Sequence, residues 1–161
     1  MNKLLSDLKS NLDKAELGYK IIELSAPAMT VPDVIKFAKE PINENEICKT
    51  LIVKAGTGFI AIFLRGENKV NFKALKSLFG PKVRFATAEE VKASANVDPG
   101  AVCPLILNVP LYIDESAIVL SNAHFGSGDH MFGLEMNPAD ILEITGAKIV
   151  NISKEQSNEN C

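Results

Sequence analysis

Apolar residues recur along this chain with two distinct periods. Leu4, Leu5, Leu8 and Leu12 fall at helical spacing among Lys, Asp and Asn, which predicts a helix over 2–14 closed before Gly18. Tyr19 to Leu24 reads as a strand that Ala26-Pro27 breaks. Thr30-Val31-Pro32-Asp33 is a helix start: an N-cap hydroxyl, a proline in the first turn and an acid at the positive end of the dipole. Pro41 stops that helix.

The two most β-rich runs, 47–54 and 58–65, are joined through Gly56-Thr57-Gly58 and predict a hairpin. Val70 to Phe79 predicts a helix whose Val70, Ala74, Leu75 and Leu78 face inward. Lys69, Lys73 and Lys76 recur on its opposite face. A short strand over 83–86 leads into a helix over 88–95, with Thr87 and Glu90 spaced as a capping box. Asn96 to Pro104 is a loop. Leu105–Asn108, Leu111–Asp114 and Ala117–Ser121 are expected strands, Asn122–Asp129 a polar loop, and His130–Met136 a strand. Asn137-Pro138-Ala139-Asp140 opens a last helix ended by Gly146, and Lys148–Ile152 closes the fold as a strand.

Strands outnumber helices without alternating with them. That pattern predicts an α+β fold with a mixed, mostly antiparallel, barrel-like sheet flanked by short helices. A single domain over 1–152 is expected, followed by a polar, disordered tail over 153–161.

Composition changes this picture in three places. Apolar residues are 47% of 161, enough for one packed core. No apolar run reaches the length of a membrane span, and the N-terminus lacks a signal-peptide core, so the expected location is the cytoplasm. Cys48, Cys103 and Cys161 are odd in number and widely spaced, which indicates neither a metal site nor a disulfide framework. The net charge of −3 argues against coating DNA, yet Arg65 to Arg84 holds six basic residues and one acid, leaving −8 elsewhere. A local basic patch on an acidic body suits a phosphate contact.

Lys49, inside Ile47-Cys48-Lys49-Thr50-Leu51-Ile52-Val53, stands out chemically. A lysine in an apolar strand is costly unless its ammonium meets an anion or reaches water. Gly100-Ala101-Val102-Cys103-Pro104 predicts a loop held open by its glycine.

In their order, these pieces resemble the YbaK/EbsC family, the editing domain associated with prolyl-tRNA synthetases. The strand 47–53 is similar to the family's lysine–threonine strand, and Lys82 to Val91 to its strand-then-helix segment. Gly100–Pro104 is similar to the family's GxxxP loop, and Tyr112–Glu115 with Asn137–Ala147 to its C-terminal pattern. His130, Phe132 and Gly133 are closer to the editing domain inserted in bacterial prolyl-tRNA synthetases.

The resemblance implies a free-standing aminoacyl-tRNA deacylase. It would clear mischarged tRNA, with tRNA(Pro) carrying alanine or cysteine as the expected substrate, the ribose 2′-hydroxyl assisting water and no cofactor or metal. It implies Lys49 as the catalytic cation. Gly100, Ala101, Val102, Cys103 and Pro104 would form the substrate loop, with backbone N–H groups aimed at the substrate and Gly100 allowing close approach. Ser121, Asn122, His130 and Thr50 are further substrate-binding candidates, although regular alternation turns Thr50 to the face opposite Lys49. Cys103 is expected as a small apolar wall residue. Lys69, Lys73 and Lys76 would contact the tRNA acceptor end. A prolyl-tRNA synthetase is the expected protein partner, with no membrane and no DNA. The alternative is a non-catalytic module that recognises an aminoacyl nucleotide, a tRNA end or a synthetase.

Overall fold

In the computed structural model, residues 1–155 are described; the rest of the expected tail, 156–161, lies outside them. The chain forms α1 (Lys3–Lys14), β1 (Lys20–Glu23), α2 (Val31–Phe37), β2 (Cys48–Ala55), β3 (Gly58–Arg65), β4 (Lys69–Val70), α3 (Phe72–Phe79), β5 (Arg84–Phe85) and α4 (Ala88–Ala95). A 3-10 turn over Pro99–Ala101 follows, then β6 (Leu111–Asp114), α5 (Glu115–Ile118), β7 (Ala123–Gly126), β8 (Phe132–Met136), α6 (Pro138–Thr145), β9 (Lys148–Val150) and β10 (Ser153–Lys154).

The class is α+β with mixed sheets. A five-stranded sheet runs β5-β2-β3-β6-β9, a three-stranded sheet runs β1-β8-β7, and β10 pairs with β4. Pairing is antiparallel except where β6 joins β3 and β9. The five-stranded sheet ends at β5 and β9, so these strands do not close into a barrel.

Alternation along β2 and β3 divides the core. Cys48, Ile52, Ala61 and Phe63 face one apolar cluster, shared with α1, α4, α6 and the three-stranded sheet. Val53, Ile60, Ile62 and Leu64 face a second cluster with Leu75 of α3, Val83 and Ile152. Phe63 meets Phe125 of β7 edge to face at 5.4 Å, which ties the two larger sheets together.

Four expectations fail locally. Leu78 of α3, expected to face inward, is 55% exposed. Leu105–Asn108 forms turns rather than a strand, enclosed by Pro104 and Pro110, with Leu105, Ile106 and Leu107 packed on the first cluster. Expected strand 117–121 is replaced by α5, because the Asp114 carboxylate caps it by accepting from Ser116 N–H at 3.0 Å. The expected loop 122–129 holds β7, whose Ala123 and Phe125 point into the core. The chain also stays in the fold through β10, two residues past the expected start of the tail.

Asp114 secures that last segment. It is 1% exposed. Its Oδ1 accepts from Ile152 N–H at 2.8 Å and Ser153 N–H at 3.2 Å, and its Oδ2 from Ser153 Oγ at 2.6 Å. Burial pushes this carboxyl up, but the bonds from Ser116, Ser153 and Ile152 together outweigh it and hold it below 3.8. A depressed folded value means the stabilisation is complete above about pH 3.8 and is lost as pH falls through the folded value. Asp114→Ala, which strands these donors, is expected to lower unfolding free energy by about 3 kcal/mol in urea titrations at pH 7. The gap between wild type and Asp114→Asn should narrow below pH 3.8.

Candidate functional site

The cavity of interest exists because one edge of β2 is incompletely paired. At its start, Ile47 bridges His124 of β7. At its end, Val53 and Lys54 pair with β5, and Ala86 N–H donates to Ile52 O at 2.9 Å. Strand bonding alternates, so the Thr50 N–H and C=O point out of the same edge as those of Ile52. Among the described residues no strand pairs with Thr50 there. The 3-10 turn over Pro99–Ala101 and Val102 stand opposite this gap.

Between them lies a cavity of about 200 Å³. Lys49, Thr50 and Leu51 line one side and Pro99 to Val102 another. Met29, Thr30, Val31 and Val34 stand at the mouth, and His124, Phe125, Gly126 and Gly133 complete the wall. A second hollow of about 150 Å³ shares Thr50, Leu51, Pro99 and Val102 and extends toward Phe85.

Lys49 and Thr50 sit on opposite faces of β2 by alternation, yet both line this cavity, because it wraps round the open edge. Thr50 is 7% exposed, and its Oγ1 has no hydrogen-bond partner among the described residues. Lys49 is half-buried. Its Nζ donates to Gly66 O at 3.1 Å and Asn68 O at 2.8 Å, where the chain turns from β3 to β4. An ammonium has three N–H donors, so one remains. Burial lowers the pKa of Lys49, and among the described residues none of the ion pairs includes it. A cation solvated only by carbonyls retains a strong attraction for an incoming anion.

The loop differs from expectation. Gly100 faces the main chain of residue 29: an added Cβ would lie 2.8 Å from Met29 Cα and 2.9 Å from Met29 O. Its missing side chain therefore makes room for the 28–30 segment, not for a ligand. Ala101 N–H already donates to Asp98 O, and Ala101 O accepts from Gly128 N–H. Only Gly100, Ala101 and Val102 of the pentapeptide line the cavity; Cys103 and Pro104 are buried behind it. Burial pushes the Cys103 thiol up to about 12, and that of Cys48 likewise to about 12, so neither supplies a thiolate near neutral pH.

His130 joins the mouth to the wall. Ala28 N–H donates to His130 O at 3.0 Å, and His130 Nδ1 donates to Ala28 O at 3.1 Å. Its Nε2 stands 3.8 Å from Asp98. Ser121 and Asn122 are outside the cavity lining: Ser121 is exposed, and Asn122 Nδ2 bonds Glu46 and Glu135. Lys69, Lys73 and Lys76 are exposed on β4 and α3, without salt bridges among the described residues. Arg65 and Arg84 of the same basic stretch are paired with Glu67 and Glu90.

Sequence reasoning missed Met29 to Val34 and the β7–β8 wall. A signal was present for the second. His124 and Gly126 alternate on one strand as Gly133 and Glu135 do on its partner, which places all four on one sheet face.

Known proteins are similar to this chain in sequence and in fold. The family model for the aminoacyl-tRNA editing domain matches residues 25–144. A proline–tRNA ligase of Staphylococcus epidermidis is 29% identical over 154 residues, covering 87% of this chain and 27% of that protein. One of Macrococcus caseolyticus is 28% identical over 137 residues, covering 77% and 24%. The chain thus spans about a quarter of these relatives. The crystal structure of the hypothetical protein APE2540 superposes with a TM-score of 0.82 at 28% identity, covering 91% of this chain and 99% of that one. The fold is also that of a candidate trans-editing enzyme for prolyl tRNA synthetase, with a TM-score of 0.81 at 22% identity, covering 96% and 99%. By the family match over most of its length, this chain belongs to the aminoacyl-tRNA editing domain family.

Proposed function

We propose that this protein is an aminoacyl-tRNA deacylase that hydrolyses the ester of a mischarged tRNA. The observation that carries the reading is the cavity at the open edge of β2. It gathers a cation with no carboxylate partner among the described residues, a stretch of strand edge that no described strand pairs, and a facing loop.

In this reading the terminal ribose lies at the mouth and the aminoacyl group enters between Thr50 and the Gly100–Val102 loop. Water adds to the ester carbonyl. The bond from that carbon to the ribose oxygen breaks, and the proton given up by water ends on the ribose oxygen. The products are a free amino acid and an uncharged tRNA end. The remaining N–H of Lys49 and the outward N–H of Thr50 are the donors for the tetrahedral oxyanion, pre-set in a site largely shielded from water. The vicinal ribose hydroxyl orients the water, so no protein nucleophile is required.

The cavity volume suits a small amino acid, and the proline–tRNA ligases among the relatives make tRNA(Pro) the favoured carrier. Because a pocket separates side chains differing by one methylene by only ~1–3 kcal/mol, a second sieve of this kind is useful after charging. The exposed lysines Lys69, Lys73 and Lys76 would meet the acceptor-end phosphates, and the protein would act in trans beside a prolyl-tRNA synthetase.

Two measurements test this. Lys49→Ala should lower deacylation of a mischarged tRNA(Pro) panel by about 100-fold or more, with an unchanged circular-dichroism spectrum. Full activity would end the assignment, and binding by wild type without turnover on every member would make the protein a recognition module. Reversing charge at Lys69, Lys73 and Lys76 should weaken tRNA binding and flatten its salt dependence by up to ~3 in the log–log slope.

A further inference from the structure

The second hollow, of about 150 Å³, adjoins the cavity and shares Thr50, Leu51, Pro99 and Val102 with it. Phe85 of β5 and the following Ala86 line it together with the buried Ile52 and Val91. Phe85 is 46% exposed, so a ligand in the hollow can reach it. Its ring is held by an edge-to-face contact with Phe72 at the start of α3, with 5.1 Å between centroids and 74° between planes. Among the lining residues of the hollow only Thr50 has a polar side chain, and none is charged.

The two spaces suit different parts of one substrate. The last ribose of an aminoacyl-tRNA carries an ester with a charged ammonium beside its carbonyl, a neutral base and a 5′ phosphate. A charge without a partner is disfavoured in an apolar hollow, whereas a base offers its π-face to an aromatic side chain. Lys49 lines the first cavity and not the second, which assigns the ester to the first. Pro99 is exposed and lines both, so a ribose beside it borders both spaces. The charge nearby fits the same orientation. Phe72 opens α3, the helix that carries Lys73 and Lys76, so the hollow lies beside the element to which the deacylase reading gives the phosphates. Lys82 is exposed just before β5, while Arg84 is taken up by Glu90. We propose that Phe85 is a base-binding residue, whose ring stacks on the terminal base of the tRNA in the second hollow while the ester occupies the first cavity. The inference rests on the deacylase reading above and adds to it a site for the nucleobase.

The test separates stacking from packing. Phe85→Leu keeps apolar bulk but removes the π-face, and Phe85→Tyr keeps both. On a mischarged tRNA that wild type hydrolyses, Phe85→Leu should raise KM by about tenfold with kcat little changed, and Phe85→Tyr should restore the wild-type KM. Equal KM for wild type and Phe85→Leu, or a loss that Phe85→Tyr shares, would overturn the proposal. A second readout needs no variant and no turnover. Adenosine 5′-monophosphate should shift the methyl resonances of Ala86 and Val91 through the ring current of the base and leave that of Ala28, in the first cavity, in place. Ribose 5-phosphate, which has no base, should shift none of them. No shift at Ala86 and Val91, shifts at Ala28 instead, or equal shifts with ribose 5-phosphate would reject Phe85 as the base-binding residue while sparing the deacylase reading. Hydrolysis of no ester in the mischarged panel, with the nucleotide-specific shifts at Ala86 and Val91 intact, would reject the deacylase reading and keep the base site.

Discussion

Strand β2 runs out of main-chain partners on one edge at Thr50, and the site follows from that gap. β7 occupies the edge at Ile47 and β5 resumes it at Ile52 to Lys54. In a soluble protein an unpaired interior edge is normally covered or filled with charge. Here a loop stands across it and leaves a cavity lined on one side by Thr50. Because the cavity wraps the edge, it collects side chains from both faces of the strand. This is why Lys49 and Thr50, adjacent in sequence and opposed in direction, can belong to one site.

The surrounding contacts set the two sides of the gap. Phe63 against Phe125 fixes the distance between the two larger sheets. His130 pins Ala28, and Met29 packs against the bare face of Gly100. Asp114 gathers α5 and β10 around the far end of the five-stranded sheet. The first three contacts involve residues that line the cavity, and the Asp114 cluster lies away from it. The cation follows the same logic: Lys49 is held by two carbonyls, which orient the ammonium without neutralising it.

Much of this was legible in the residues. Strong periods and explicit caps announced α1, α2, α4, α6 and the β2–β3 hairpin, and the lysine-bearing strand and glycine loop do meet at one cavity. What failed had both local and non-local causes. Leu105–Asn108 has strand-like composition but sits between prolines, while the Asp114 cap overrides the β-branched residues that follow it. β7 looked like a loop because Gly126 and Asn122 carry little β-propensity; pairing with β8 decides its form. The role of Gly100 was misjudged for a similar reason. A glycine next to a candidate site suggests approach by a ligand, but only the fold reveals that Met29 occupies the space.

The most direct test is a crystal structure with an adenosine bearing an amide-linked aminoacyl group. The account predicts that its carbonyl oxygen lies within hydrogen-bonding distance of the Thr50 N–H and the Lys49 ammonium, between β2 and the Gly100–Val102 loop. An analogue bound elsewhere on the protein, with that cavity left vacant, would contradict it.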